Sequence, residues 1–373
     1  MNLQKLQTTL SAAVTGGDIP GLAAALTGPD GTIVQFCAGT TEINGATPIT
    51  ADTRFWIASM TKPITSVAAM QLVEAGKLAL DAPIADVLPE LAHPQILQNG
   101  TLTPAKSPIT LRHLLTHTAG FSYAFASAAY QAFAAAHNIP TTPGARATLN
   151  FPLLFEPGTR WEYGINTDWV GLAVEAASGQ TLDAYFQDHI FAPLGMTHTT
   201  FLPGLTNRAA IHQRQPDDSL IAYPLSSGQK PEFFSGGGGL SSTLNDYQKF
   251  LRIFLKPTPL LSPASIAEMT RNQIGALEAG FMRSATPSLM REQSVAPGLD
   301  AKWGLGFLIY GKPSPFGRPA GSYSWAGVAN TYFWVDPHLN QAAILLMQLF
   351  PSGDPAAIKT LLGFEAAIYA APQ

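Results

Sequence analysis

Apolar residues follow two different rhythms along the chain. Near both ends they come as short runs. Residues 22–27 and 32–38 are strand-like, and 28-GPDG-31 between them is a turn sequence, so the pair predicts a hairpin. After residue 230 strand-like runs return at 304–310, 323–325, 331–335 and 342–349. Between these ends the apolar spacing is helical, at 111–117, 124–136, 167–178 and 182–190, separated by Pro-rich loops with little strand alternation. Further helices are expected at 61–76, 243–255 and about 355–369. In the first of these, Pro63 fits only the opening turn and Gly76 supplies the stop. Its polar residues (Thr65, Ser66, Gln71, Glu74) are few, which predicts burial on most sides.

Strands from both ends with helices between them predict an α/β (α+β) fold. An antiparallel sheet is built from both termini, flanked by helices and interrupted by an inserted, mainly helical region. The expected division is 1–82 with 230–373 for the sheet domain and 83–229 for the insertion. No internal repeat is present.

Composition narrows the function classes. Charged residues make up only 12% of the 373, and the net charge of −4 includes no acidic or basic block, so neither nucleic acid nor an anionic membrane surface is an expected partner. The longest apolar runs, such as 342–347, are far shorter than the ~20 residues of a membrane span. The N-terminal segment lacks the long apolar stretch of a signal peptide and reads as a short surface helix. Cys37 is the only cysteine, which rules out an intrachain disulfide and a cysteine metal cluster. A cytoplasmic protein without cofactor or metal is expected.

The chemistry starts at 55-FWIASMTKPITSVAAM-70, where Ser59 precedes the 61–76 helix and Lys62 follows three residues later. Residues three apart on a helix share a face. The unpaired N–H groups and positive dipole end of a helix N-terminus face Ser59. Burial lowers a lysine pKa, so a desolvated Lys62 can accept the serine proton, the serine–lysine form of nucleophilic catalysis. A helix-capping Ser59 with Lys62 reaching solvent is the alternative. Serine, any two residues and lysine also occur at 227-SGQK-230, so the spacing alone is weak.

Two later stretches supply context. Tyr163 lies in a turn-rich segment before a helix ending at Gly179, where a tyrosine with its pKa lowered by a cation can relay protons. Trp325-Ala326-Gly327 places small residues in a strand pattern where a ligand can approach the backbone.

This order of motifs resembles the serine β-lactamase and penicillin-recognising superfamily, and most closely its class C β-lactamase-like esterases, the family VIII carboxylesterases. The stretches 53–90, 109-ITLRHLLTHTAGF-121, 193-PLGMTHT-199 and 236-GGGGLSST-243 support it, so it spans most of the chain. The resemblance implies that Ser59 is the acylated nucleophile, that Lys62 and Tyr163 share general base and acid work, and that the backbone N–H groups of Ser59 and Val328 form an oxyanion hole.

The chain departs from the family pattern at two places. The second motif is Tyr163-Gly164-Ile165, with Asn166 one position late for Tyr-x-Asn. The third motif is Trp325-Ala326-Gly327 rather than Lys-Thr-Gly, which removes a cation suited to a substrate carboxylate. Lys302-Trp303-Gly304 is set aside because it precedes a strand similar to the family's earlier one. Neutral, apolar carboxylic esters are therefore the expected small-molecule substrates. Phe121, Tyr123 and Phe125 are candidate pocket aromatics beside Trp325, with Tyr123 foremost. His113 and His117 have a metal-ligand spacing but no His-Glu-x-x-His glutamate, and read as structural. Gly236–Gly239 reads as a close-packed turn. An acyltransferase using the same acyl-enzyme, a weak β-lactamase, and a non-catalytic binding protein on the same fold are the alternatives.

Overall fold

The structure, a computed structural model, describes residues 1–141, 144–201, 206–224 and 232–371. The expected division point at 229/230 and the second serine–lysine spacing at 227–230 lie outside the described residues.

The β-lactamase/penicillin-binding-protein-like fold is organised on a seven-stranded antiparallel sheet. Its strands are β1 (Gly21–Thr27), β2 (Thr32–Gly39), β3 (Ala301–Trp303), β4 (Leu308–Tyr310), β5 (Tyr323–Gly327), β6 (Thr331–Asp336) and β7 (Gln341–Leu346). Their order is β3-β4-β5-β6-β7-β1-β2, so the N-terminal hairpin adds to strands from the C-terminal end, with Ala25 opposite Ile344. Side chains alternate across a strand. In β1, Leu22, Ala24 and Leu26 face a core shared with α1 (Leu3–Thr15) and the C-terminal helix, while Ala23 and Ala25 face the larger core. Every residue of β1 is buried.

The helix at 61–76 forms as α2 (Thr61–Glu74), with its residues from Thr61 to Met70 all buried. Pro63 loses nothing there, since the first-turn N–H groups have no intrahelical partner. The run 111–117 ends sooner, at α3 (Leu111–Leu115), because His117 turns the chain with φ 57°. The run 124–136 begins later, at α4 (Ala128–His137), where Ser127 caps the Tyr130 N–H; Tyr123 and Phe125 are therefore on a loop. The helix at 167–178 is α5 (Asn166–Ser178), packed against α2. The run 182–190 is a helix only over α6 (Leu182–Phe186) before a wider turn at Gln187–Phe191. Two later helices are α7 (Leu244–Leu251) and α8 (Pro263–Thr270), and the chain closes with α9 (Pro355–Tyr369), which packs on α1.

Residues 83–229, expected to form an insertion, also contain a hairpin that the sequence reading passed over, Gln95–Gln98 with Thr101–Pro104. The Asn99-Gly100 pair at its tip, both at positive φ, is the sequence signal that finds it. Among the described residues, no helix is long and apolar enough to cross a membrane.

Candidate active site

Phe55–Trp56 pairs with Ser241–Ser242 and delivers the chain to the mouth of α2. The approach is tight. Ala58 has φ 45°, a left-handed conformation that costs an L-residue roughly 1–2 kcal/mol. A single tight turn, Ala58–Met60, then runs into α2. It is held on both sides: Ile57 N–H donates to Leu240 O at 3.0 Å, and Tyr247 OH donates to Met60 O at 2.9 Å. Ser59 is left half-buried at the mouth while Lys62, one turn further in, is fully buried.

The Lys62 Nζ has three partners: Ser59 Oγ at 3.1 Å, Tyr123 OH at 2.9 Å and Gly237 O at 2.6 Å. Burial pulls its pKa down to about 7, against the opposing charge of Asp168. Gly237 O can only accept, so it takes one N–H of the amine. The Tyr123 phenol is kept protonated by burial and by neighbouring Tyr163 and Asp168. A neutral Lys62 that gives its second N–H to Tyr123 turns its lone pair to the Ser59 hydroxyl, 3.1 Å away.

Tyr163 faces Ser59 and lies with the centre of its ring 4.5 Å from Lys62 Nζ. The sequence reading expected a neighbouring cation to lower its pKa. Burial instead pushes the pKa up, outweighing the lowering by Ser59 and Trp325, so the phenol holds its proton at neutral pH and is suited to giving one. Its oxygen accepts from Trp325 Nε1–H at 3.1 Å, leaving its own O–H free to donate.

Trp325, Ala326 and Gly327 end β5 beside the Ser59 turn. A Cβ at Gly327 would sit 2.5 Å from Ile57 O, so only glycine lets the strand approach this closely. Val328 follows at the strand end, half-buried. Phe125 stacks on Tyr123, with centroids 4.8 Å apart. Phe121 points elsewhere: it stacks on Trp169, and the two line a cavity of about 350 Å³ whose lining does not include Ser59.

The two histidines serve structure. His113 completes a capping box with Thr110. His117 is fully buried, and its Nδ1 lies 3.0 Å from Asn166 Nδ2 and accepts from Gly164 N–H at 3.4 Å, which braces the turn carrying Tyr163. No group of three or more metal-ligating side chains occurs among the described residues. Lys302 is on edge strand β3, bound to Leu277 O and Asp300.

Sequence reasoning missed Asp168 and Gly237. The Gly236–Gly239 turn lies against Lys62, not merely before a helix: Gly236 O accepts from Thr65 and Gly237 O from Lys62. The four glycines at 236–239, read as a close-packed turn, were the available signal for Gly237.

This sheet, with a serine at the mouth of a buried helix and a lysine one turn inside it, is the arrangement of the beta-lactamase family, whose profile matches residues 6–368; the chain belongs to that family. It is 32% identical over 351 residues to the acyltransferase calJ of Penicillium decumbens, covering 87% of this chain and 83% of the relative. It is 31% identical over 367 residues to a lovastatin esterase of Penicillium rubens, covering 92% of each. The unliganded simvastatin synthase LovD of Aspergillus terreus superposes with a TM-score of 0.87 at 30% identity, over 99% of this chain and 98% of that one. The chain is thus a beta-lactamase-like serine hydrolase in a family whose members include both acyltransferases and an esterase.

Proposed function

We propose that the protein is a serine carboxylesterase that takes the acyl group of neutral, apolar esters onto Ser59 and releases it to water. The observation that carries this reading is the buried Lys62 amine, aimed at Ser59 Oγ from 3.1 Å with its pKa pulled down to about 7. A base with a pKa near the working pH is the most effective one.

In the first half-reaction Lys62 takes the Ser59 proton as Oγ bonds to the ester carbonyl carbon. The backbone N–H groups of Ser59 and Val328 hold the resulting oxyanion; one such donor is typically worth ~3 kcal/mol of barrier. The C–O bond to the leaving group breaks, and Tyr163 O–H donates to the departing alkoxide, regaining its proton from the Lys62 ammonium by way of the Ser59 site. The free alcohol leaves an acyl-Ser59. In the second half-reaction water attacks that acyl carbon, Lys62 again takes the proton, and the proton returns to Ser59 Oγ as the acid departs. Tyr123, Phe125 and Trp325 offer aromatic surface to the substrate, and Trp325 stands where a lysine would attract a carboxylate.

A second reading, transfer of the same acyl group to an alcohol, is favoured by the likeness to calJ and simvastatin synthase. It differs only in what attacks acyl-Ser59. Both readings are tested with p-nitrophenyl butyrate and intact-mass detection. Ser59→Ala is expected to lose activity by several orders of magnitude and to form no adduct, while the wild type shows one acyl addition. Equal activity of the two proteins would remove Ser59 from the mechanism. A competing alcohol that yields transfer product at the expense of acid places the enzyme among acyltransferases.

A further inference from the structure

Asp168 lies in the first turn of α5, fully enclosed, and its carboxylate does not touch Ser59 or the substrate side of the site. Its Oδ1 accepts from Gly237 N–H at 2.9 Å and from Ser235 Oγ–H at 2.6 Å. The carbonyl of the same residue, in the next peptide unit, accepts from Lys62 Nζ at 2.6 Å. One glycine residue therefore links the carboxylate to the amine. The space is built for this: a Cβ at Gly237 would lie 2.8 Å from Asp168 Oδ2 and 3.0 Å from the Tyr123 oxygen.

A buried carboxylate is costly unless it is compensated, and this one is retained beside a lysine that needs to be neutral. Burial pushes the Asp168 carboxyl up while Ser235, Lys62 and the Gly237 N–H hold it down. We propose that Asp168 is a positioning residue for the reaction: by holding the N–H of Gly237 it fixes the residue whose carbonyl orients the Lys62 amine, and its negative charge sets how readily that amine gives up a proton. This rests on the reading of Lys62 as the base for Ser59. The charge acts against burial: alone, burial would leave Lys62 a weaker base, and Asp168 restores part of its basicity. The other polar or titratable groups facing Lys62 are Ser59, Tyr123, Tyr163 and His117. Those facing Asp168 are Ser235, Lys62, Tyr123 and Tyr163.

The two parts of the role separate by substitution. Asp168→Asn keeps an oxygen for the Gly237 N–H but removes the charge. Asp168→Ala removes both. With the full chain and p-nitrophenyl butyrate, the acid limb of the kcat/KM profile is expected to move to lower pH in Asp168→Asn, with kcat near its plateau retained within about tenfold. Asp168→Ala is expected to lose kcat by ~100-fold, the scale of a misplaced catalytic group, with KM little changed. An acid limb unmoved in a folded Asp168→Asn protein overturns the proposal.

Carbon-13 NMR of the wild type, labelled at Asp Cγ and Lys Cε, decides the matter even where the variants do not fold. Asp168 is expected to be ionised at pH 7, with its titration mirrored at Lys62. A protonated Asp168 at that pH overturns the proposal. Failure to see acyl-Ser59 in the wild type would sink the reading of the site itself, whereas an adduct with an unmoved limb sinks only the role of Asp168.

Discussion

The Trp325 indole N–H donates to the Tyr163 phenol oxygen at 3.1 Å, so the strand that lines the site also orients the phenol facing Ser59. Both side chains are nearly fully buried. Trp325→Phe keeps most of the ring and loses the donor. One neutral hydrogen bond is worth about 0.5–1.5 kcal/mol, so kcat toward p-nitrophenyl butyrate is expected to fall by about two- to thirteenfold. A kcat equal to wild type would show that this bond does not serve the reaction.

Lys62 sets the pH dependence. The competent amine is the neutral one, and its pKa is about 7. Below that value the amine is protonated and kcat/KM falls as pH falls; above it the rate levels off. Tyr123 and Tyr163 both have pKa values raised by burial, so no phenolate forms to end the plateau in the mildly alkaline range. A rate profile from pH 5 to 9 checks this, and an acid limb centred near 4 would point to a carboxylate base instead.

Gly237 has no room for a methyl group, since its Cβ would meet both Asp168 oxygens and the Tyr123 hydroxyl at 2.8–3.0 Å. Gly237→Ala is expected to displace the carbonyl that receives Lys62 and to reduce kcat by ~100-fold. Thermal unfolding measured alongside tells local displacement from loss of fold: a midpoint close to wild type with low kcat is the expected pair.

Away from the site, Arg318 and Glu365 form a buried ion pair at 2.7 Å, with Arg318 also over the Tyr310 ring at 4.1 Å. Arg318→Met leaves Glu365 buried without its cation. Breaking such a pair costs about 3–5 kcal/mol, read as a lower urea midpoint at unchanged slope, with kcat unchanged at low temperature. A midpoint shift near zero would mean that this ion pair does not stabilise the fold.

Fold and site were legible in the sequence to different depths. The β1–β2 hairpin, α2 and α9 follow from local rules, namely a Gly-Pro-Asp-Gly turn, a first-turn proline and helical spacing. Residues 111–117 and 124–136 were read as longer helices because the pattern carries no sign that His117 would take a left-handed conformation or that Ser127 would cap. The Ser59–Lys62 spacing could be seen, since i and i+3 are neighbours on any helix. Asp168 and Gly237 could not, because they meet Lys62 only through the packing of α5 and the 235–239 turn against α2, which no local pattern encodes. Trp325 was read as a substrate contact; its bond to Tyr163 depends on an indole orientation that emerges only once β5 is placed.

The sheet that joins position 25 to position 344 also imposes an order on biosynthesis. At about 5–20 residues per second, β1 emerges from the ribosome roughly 15–60 s before β7 exists to cover its open edge, and α1 waits longer still for α9, where Asn2 N–H meets Ala367 O. Through that interval the nascent chain carries an exposed, apolar strand edge, the kind of surface that recruits other strands. The protein's most exposed moment thus falls during its own translation, when the edge of β1 has nothing yet to pair with.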